Sequence, residues 1–191
     1  MKNVSVQFIS MKHIKRGHLT VMWNRLFKKA YDDGCHYFYQ CGDDIQFINK
    51  GWVSKSIQLL QLYNNLGATG PHDTMQTRVH TQSFVSRKHY EIFKFYFPPE
   101  IINWFCDDWI TKIYWKDLLY PLLDKWCMNS GGAPRYLSPR VTRTYDEQKK
   151  VADKLIARDR KKLAHILKNC PISFQKDKMN AIQEEMKVGF I

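Results

Sequence analysis

The apolar positions along the chain fall into a few repeating patterns. Val4, Val6 and Phe8 alternate with polar residues from Val4 to Ser10, the period of a strand with one buried face. After a turn centred on Gly17, the residues Val21, Met22, Leu26, Phe27 and Ala30 recur at helical spacing from Leu19 to Tyr31. Asp32 to Gly34 closes that helix with a glycine stop. "CHYFYQC", from Cys35 to Cys41, reads as a second strand with Gly-Asp-Asp at its carboxyl end. Strand, helix and strand in this order predict a parallel arrangement.

The same alternation of elements continues downstream. Ser54 to Gly67 is expected to be a helix, with a serine start and a glycine stop. "GATGPHD", from Gly67 to Asp73, leads into a loop, and Val79 to Ser86 is strand-like. Arg87 to Phe97 is expected to be helical, and "PPEIINWFCDDWITKIYW" is a proline turn followed by another helix. Asn129 to Arg140 is rich in glycine and proline and divides an α/β body, residues 1–140, from a basic helical tail, residues 141–191. That tail carries a long helix from Tyr145 to Lys168, striped by Val151, Leu155, Leu163, Ile166 and Leu167. Pro171 ends it, and Met179, Ile182 and Met186 suggest one more short helix.

Composition narrows the function classes. A chain of 191 residues with 44% hydrophobic content fits one folded domain with an appendage. A net charge of +12 favours anionic partners. The basic residues are spread along the chain without a known nucleic-acid module, so nucleic acid ranks below nucleotide phosphates as a partner. The 5 cysteines are odd in number and form no CxxC pair, which points to free thiols rather than zinc or a disulfide framework. No secretory signal and no apolar run of about 18 residues is present, so a cytoplasmic location without a membrane span is expected.

Two acidic pairs stand out against the basic background. Asp43 and Asp44 follow a strand, where adjacent carboxylates suit a hard divalent cation that bridges phosphate oxygens; Gly-Asp-Asp is equally good turn chemistry. Asp107 and Asp108 sit among Trp104, Phe105, Cys106 and Trp109, a setting that raises a carboxylate's pKa and suits a general base. The plainer reading is a helix face on which one Asp caps or pairs with Lys112. His72 beside Asp73 is a ligand or a polar loop residue, and His80 and His89 are read as structural. "GGAPRY" places Arg135 in a flexible stretch, either a phosphate-closing loop or a linker.

"GHLTVMWNRLFKKAYDDGCHYFYQCGDDIQF" resembles the part of GT-A-type glycosyltransferases in which a helix precedes a strand ending in an acidic metal motif. "GATGPHD" and "HTQSFVSRKHYEIFKFYFPPEIINWFCDDWITKIY" are similar to a group of nucleotide-sugar glycosyltransferases of giant DNA viruses and some protists. The resemblance covers roughly residues 4–136. It implies an α/β, GT-A-like (Rossmann-like) open mixed sheet flanked by helices, with a C-terminal helical tail. It further implies transfer of a sugar, a hexose, from a UDP-sugar to an acceptor hydroxyl on a carbohydrate or protein. Asp43 and Asp44 would hold Mn²⁺ or Mg²⁺ on the donor diphosphate, and Asp107 or Asp108 would be the base. Trp104 and Trp109 would line the acceptor or sugar pocket, with Arg135 beside the leaving diphosphate. For a viral protein the compartment would be the host cytoplasm. At most one strand and one helix precede "CGDD", so the first nucleoside-binding βα units are expected to be short or missing, or supplied by a partner chain or a second copy. An inactive, truncated relative acting as an interaction module is the alternative.

Overall fold

The structure is a computed structural model that describes residues 4–131 and 144–169. In chain order the elements are α1 (Leu19–Asp32), β1 (Tyr37–Gln40), β2 (Ile45–Phe47), α2 (Trp52–Leu62) and β3 (Ala68–Asp73). They continue with β4 (Ser83–Ser86), α3 (Arg87–Phe93), α4 (Cys106–Tyr114), β5 (Leu119–Asn129) and α5 (Tyr145–Asn169). The fold is α/β, with a mixed sheet in the order β1-β4-β3-β5-β2. Only β3 and β5 run parallel; the β1–β4, β3–β4 and β2–β5 pairs are antiparallel. The expected parallel pairing of the first two strands does not occur.

Residues 4–10 form no strand. Val4, Val6 and Phe8 alternate as a strand does, yet Phe8 is 96% exposed. Alternation needs a sheet edge to pair with and a face to bury, and this segment has neither. The reverse error concerns "GATGPHD", expected to lead into a loop, which forms β3 at the centre of the sheet. The backbone of this strand lies so close to its neighbour that a Cβ on Gly67 would stand 2.3 Å from the Leu118 carbonyl oxygen. Pro71, which has no N–H to donate, coincides with a bulge, where the register passes from Pro71–Leu122 to His72–Trp126. β5 was not anticipated, because Pro121 and the charged Asp124–Lys125 within the bulge interrupt its apolar pattern.

Side chains alternate between the two faces of the sheet. Phe38, Ala68 and Val85 join Phe27 of α1, Phe93 of α3 and Trp109, Ile110 and Ile113 of α4 in the main core. On the opposite face Tyr39 and Phe84 pack with Phe47 and with Trp52 of α2. α3 ends at Phe93, short of the expected Phe97, because Lys94 takes a left-handed conformation with φ of 68°. The helix expected as a basic tail buries Ala152, Leu155, Ile156 and Leu163 in the main core against α4. Its buried Asp159 accepts a 3.0 Å hydrogen bond from the Trp109 indole and pairs with Arg158 at 2.8 Å. The short helix expected around Met179, Ile182 and Met186 lies outside the described residues.

If α5 belongs to the core, Leu163→Ala should lower the unfolding free energy by about 2–5 kcal/mol in urea titrations with an unchanged slope. A loss below about 1 kcal/mol would show the helix to be peripheral.

Candidate functional site

The carboxyl ends of β1, β3 and β5 lie on one edge of the sheet, the position at which open α/β sheets bind ligands. The chain leaves β1 at Gln40, passes through Cys41 and Gly42, and reaches Asp43 and Asp44 before pairing as β2 with the end of β5. Asp43 is exposed and Asp44 partly buried. The Asp44 carbonyl accepts a 2.8 Å hydrogen bond from the Ser130 N–H. Its carboxylate occupies space that only glycines leave open. A Cβ on Gly42 would lie 2.3 Å from one carboxylate oxygen, and a Cβ on Gly131 would lie 2.0 Å from the other. The glycines thus hold one carboxylate at the strand end while its neighbour faces solvent. Burial raises the pKa of the nearby Cys41 thiol, and the charges of Asp44 and Asp43 raise it further. Burial pushes Cys127 up to about 11, with Asp73 adding to the shift. Among the described residues the cysteines are free thiols, as expected from the sequence.

The second pair opens α4. Phe105, directly before it, has φ of 73°, a left-handed conformation rare for a bulky residue and one that costs about 1–3 kcal/mol. The Asp107 carboxylate accepts a 3.0 Å hydrogen bond from the Asp108 N–H. Burial raises its pKa above the ordinary carboxylate value, and that hydrogen bond only partly offsets the rise. Asp108 pairs with Lys112 at 3.2 Å, the helix-face pairing anticipated as its plainer role.

Trp104 is about half exposed, at 49%, with its ring edge-on to Tyr145 at 5.9 Å. Trp109 is fully buried, which corrects its expected place in a sugar pocket: its ring packs against Phe93 and Phe97, and its N–H is committed to Asp159. Arg135 lies outside the described residues. His89 is structural, as expected, with Nδ1 2.7 Å from the Tyr114 hydroxyl and Nε2 3.0 Å from the Tyr96 carbonyl.

The loop from Thr74 to Gln82 connects β3 to β4 and brings in residues that the sequence reading passed over. Its position follows from two ties. The His80 N–H donates to Thr111 of α4 at 2.8 Å, and the Thr81 hydroxyl donates to Asp73 at 2.7 Å. Two cavities open beside it. The inner one, about 250 Å³, is lined by His72, Asp73, His80 and Thr111 among others. The outer one, about 470 Å³, is lined by Asp108, Lys112, Tyr145 and Lys149 among others. Arg78, Val79, Thr111 and Trp115 border both, so the two form one groove. Asp43, Asp44 and Asp107 are not among the residues that line either cavity, whereas Asp108 borders the outer one. Arg78 and Trp115 share no sequence pattern; the tie between His80 and Thr111 helps bring the loop to α4.

Among the described residues no helix is long and apolar enough to cross a membrane. No cluster of three or more His, Cys, Asp or Glu side chains is arranged around a metal position among them. Compared with known protein families, characterised proteins and solved structures, the chain matches none significantly.

Two buried histidines give the fold an acid-sensitive element. Burial depresses both His80 and His89 to about 4, against an ordinary value near 6.5. Below about pH 6.5 the unfolded chain takes up protons that the folded chain refuses. Stability should therefore fall from pH 6.5 to about 4, by on the order of 3 kcal/mol per histidine, and this contribution should level off below that. Unfolding midpoints across this range measure the slope, and His89→Gln should make it shallower.

Proposed function

We propose that the chain is a metal-dependent glycosyltransferase domain that moves a sugar from a nucleotide-sugar donor to an acceptor hydroxyl. The observation that carries this reading is the placement of Asp44. It is seated between Gly42 and Gly131 at a strand's carboxyl end, next to the exposed Asp43. Two carboxylates on an open edge, without a third protein ligand among the described residues, fit a Mn²⁺ or Mg²⁺ ion that completes its coordination with substrate phosphates and water. Such an ion would supply positive charge opposite the departing diphosphate.

The remaining chemistry falls to the second pair. The acceptor oxygen attacks the anomeric carbon as the bond from that carbon to the diphosphate oxygen breaks. Asp107, held partly buried and with a raised pKa, accepts the hydroxyl proton. Asp108, paired with Lys112, fixes the start of the helix and remains an acceptor in the groove. Strained backbone at Phe105 supports a functional role for this turn, since strain of that kind concentrates at active sites.

One observation favours the second reading, an interaction module. β1 is a terminal strand of the sheet, and the alternating Val4, Val6 and Phe8 are exposed, so an unpaired edge and an unpaired strand pattern coexist among the described residues.

The two readings part on ligand binding. UDP with Mn²⁺ should raise the melting temperature, by an increment that grows with ligand concentration. Asp43→Ala combined with Asp44→Ala should remove that increment while leaving the ligand-free melting temperature close to wild type. Absence of any nucleotide effect, with or without metal, would leave the module reading. Asp107→Asn should retain the nucleotide effect and lower transfer by about 10²–10⁴-fold in a donor-turnover assay.

A further inference from the structure

The groove beside the 74–82 loop has two chemically different ends. At the inner end His80 Nδ1 lies 3.2 Å from the Gln82 carbonyl oxygen. A carbonyl only accepts, so the ring proton resides on Nδ1 and Nε2 is a bare acceptor. That Nε2 is buried and has no hydrogen-bond partner among the described residues. A buried acceptor left unsatisfied is costly, and a group donating from inside the cavity would satisfy it. His72 flanks it with the two rings 6.3 Å apart, and Asp73 is already occupied by Met75 N–H and Thr81. The inner end therefore calls for a hydrogen-bond donor, which a hydroxyl supplies.

The outer end is cationic and flat. Lys112 is committed to Asp108 at 3.2 Å, and Lys149 to Asp153 at 2.7 Å. The Arg78 guanidinium is exposed and forms no ion pair among the described residues; the acid whose charge it feels is the partly buried Asp107. Trp115, which borders both cavities, is 54% exposed and offers an apolar face beside that cation. A guanidinium next to an aromatic face suits a ring that carries an oxyanion.

We propose that this groove binds a sugar bearing one anionic group, a carboxylate or a phosphate ester. A sugar hydroxyl donates to His80 Nε2, the anion lies on the Arg78 guanidinium, and the ring rests against Trp115. This rests on the glycosyltransferase reading in that the bound sugar is the acceptor, held next to Asp108 at the start of α4. Arg78 is then the residue that selects acidic acceptors over neutral ones.

The test is calorimetric titration of the protein with D-glucuronate, D-glucose 6-phosphate and D-glucose, with and without UDP and Mn²⁺. At least one acidic sugar should bind about tenfold or more tightly than glucose, a hydrogen-bonded charge being worth that much. Arg78→Ala should abolish the preference, and Arg78→Lys should keep part of it; Arg78 is exposed, so neither change threatens the fold. Which acidic sugar binds separates carboxylate from phosphate. Equal binding of glucose, no binding of either acidic sugar, or a preference that survives Arg78→Ala would overturn the proposal. Nucleotide binding is scored separately in the same protein. UDP binding without sugar binding removes this inference alone, and sugar binding without UDP binding removes only the donor reading.

Discussion

The architecture depends on the close parallel pairing of β3 with β5. β3 is the central strand, bonded to β4 on one side and β5 on the other, and through them it holds β1 and β2 in the sheet. Gly67 permits the approach, and Thr69 ties the two strands by donating from its hydroxyl to the Tyr120 carbonyl. The bulge at Pro71 then pushes Leu123, Asp124 and Lys125 out of the ladder, and Lys55 of α2 meets Asp124 at 2.7 Å. Beyond the bulge the strands realign, so that Asp73 lies opposite Cys127 and Asn129 opposite Ile45. Both the acidic turn after β1 and the loop after β3 are positioned by that realignment.

A second tie acts on the other side of the sheet. The Trp109 indole reaches Asp159 across the α4–α5 contact, and the carboxylate's charge is matched by the adjacent Arg158 guanidinium. A buried carboxylate without such partners would be costly, so α5 fixes α4, and with it the start of α4 that carries Asp107 and Asp108. The basic character of α5 belongs to its outer face, while its apolar stripe belongs to the core.

The legible parts of the sequence were those in which local pattern and tertiary role agree. α1 and α5 carry a helical apolar stripe and β1 an aromatic run, and each is found where that pattern places it. β3 was hidden because Gly70 and Pro71 are turn residues by local chemistry, and only pairing on both sides makes them strand. The Val4–Phe8 alternation misled for the opposite reason, since pattern without a partner forms nothing. The positions of the acidic pairs could be read, one after a strand and one on a helix. The groove could not, because Arg78, His80 and Trp115 come from segments with no shared pattern, drawn together where the His80 N–H donates to the Thr111 hydroxyl. Trp109 was misplaced because an aromatic next to an acid looks the same in sequence whether it faces a cavity or the core.

The seating of Asp44 also bears on how this chain can diverge. Gly42, Asp44 and Gly131 share one small volume, although the last is far from the others in sequence. A methyl group gained at either glycine evicts the carboxylate, while a longer acid at 44 has no room unless the backbone moves. Drift at any of the three sites is therefore conditional on the other two. Among related chains they should be inherited as a unit, and a chain that has lost one glycine should have given up the acid as well.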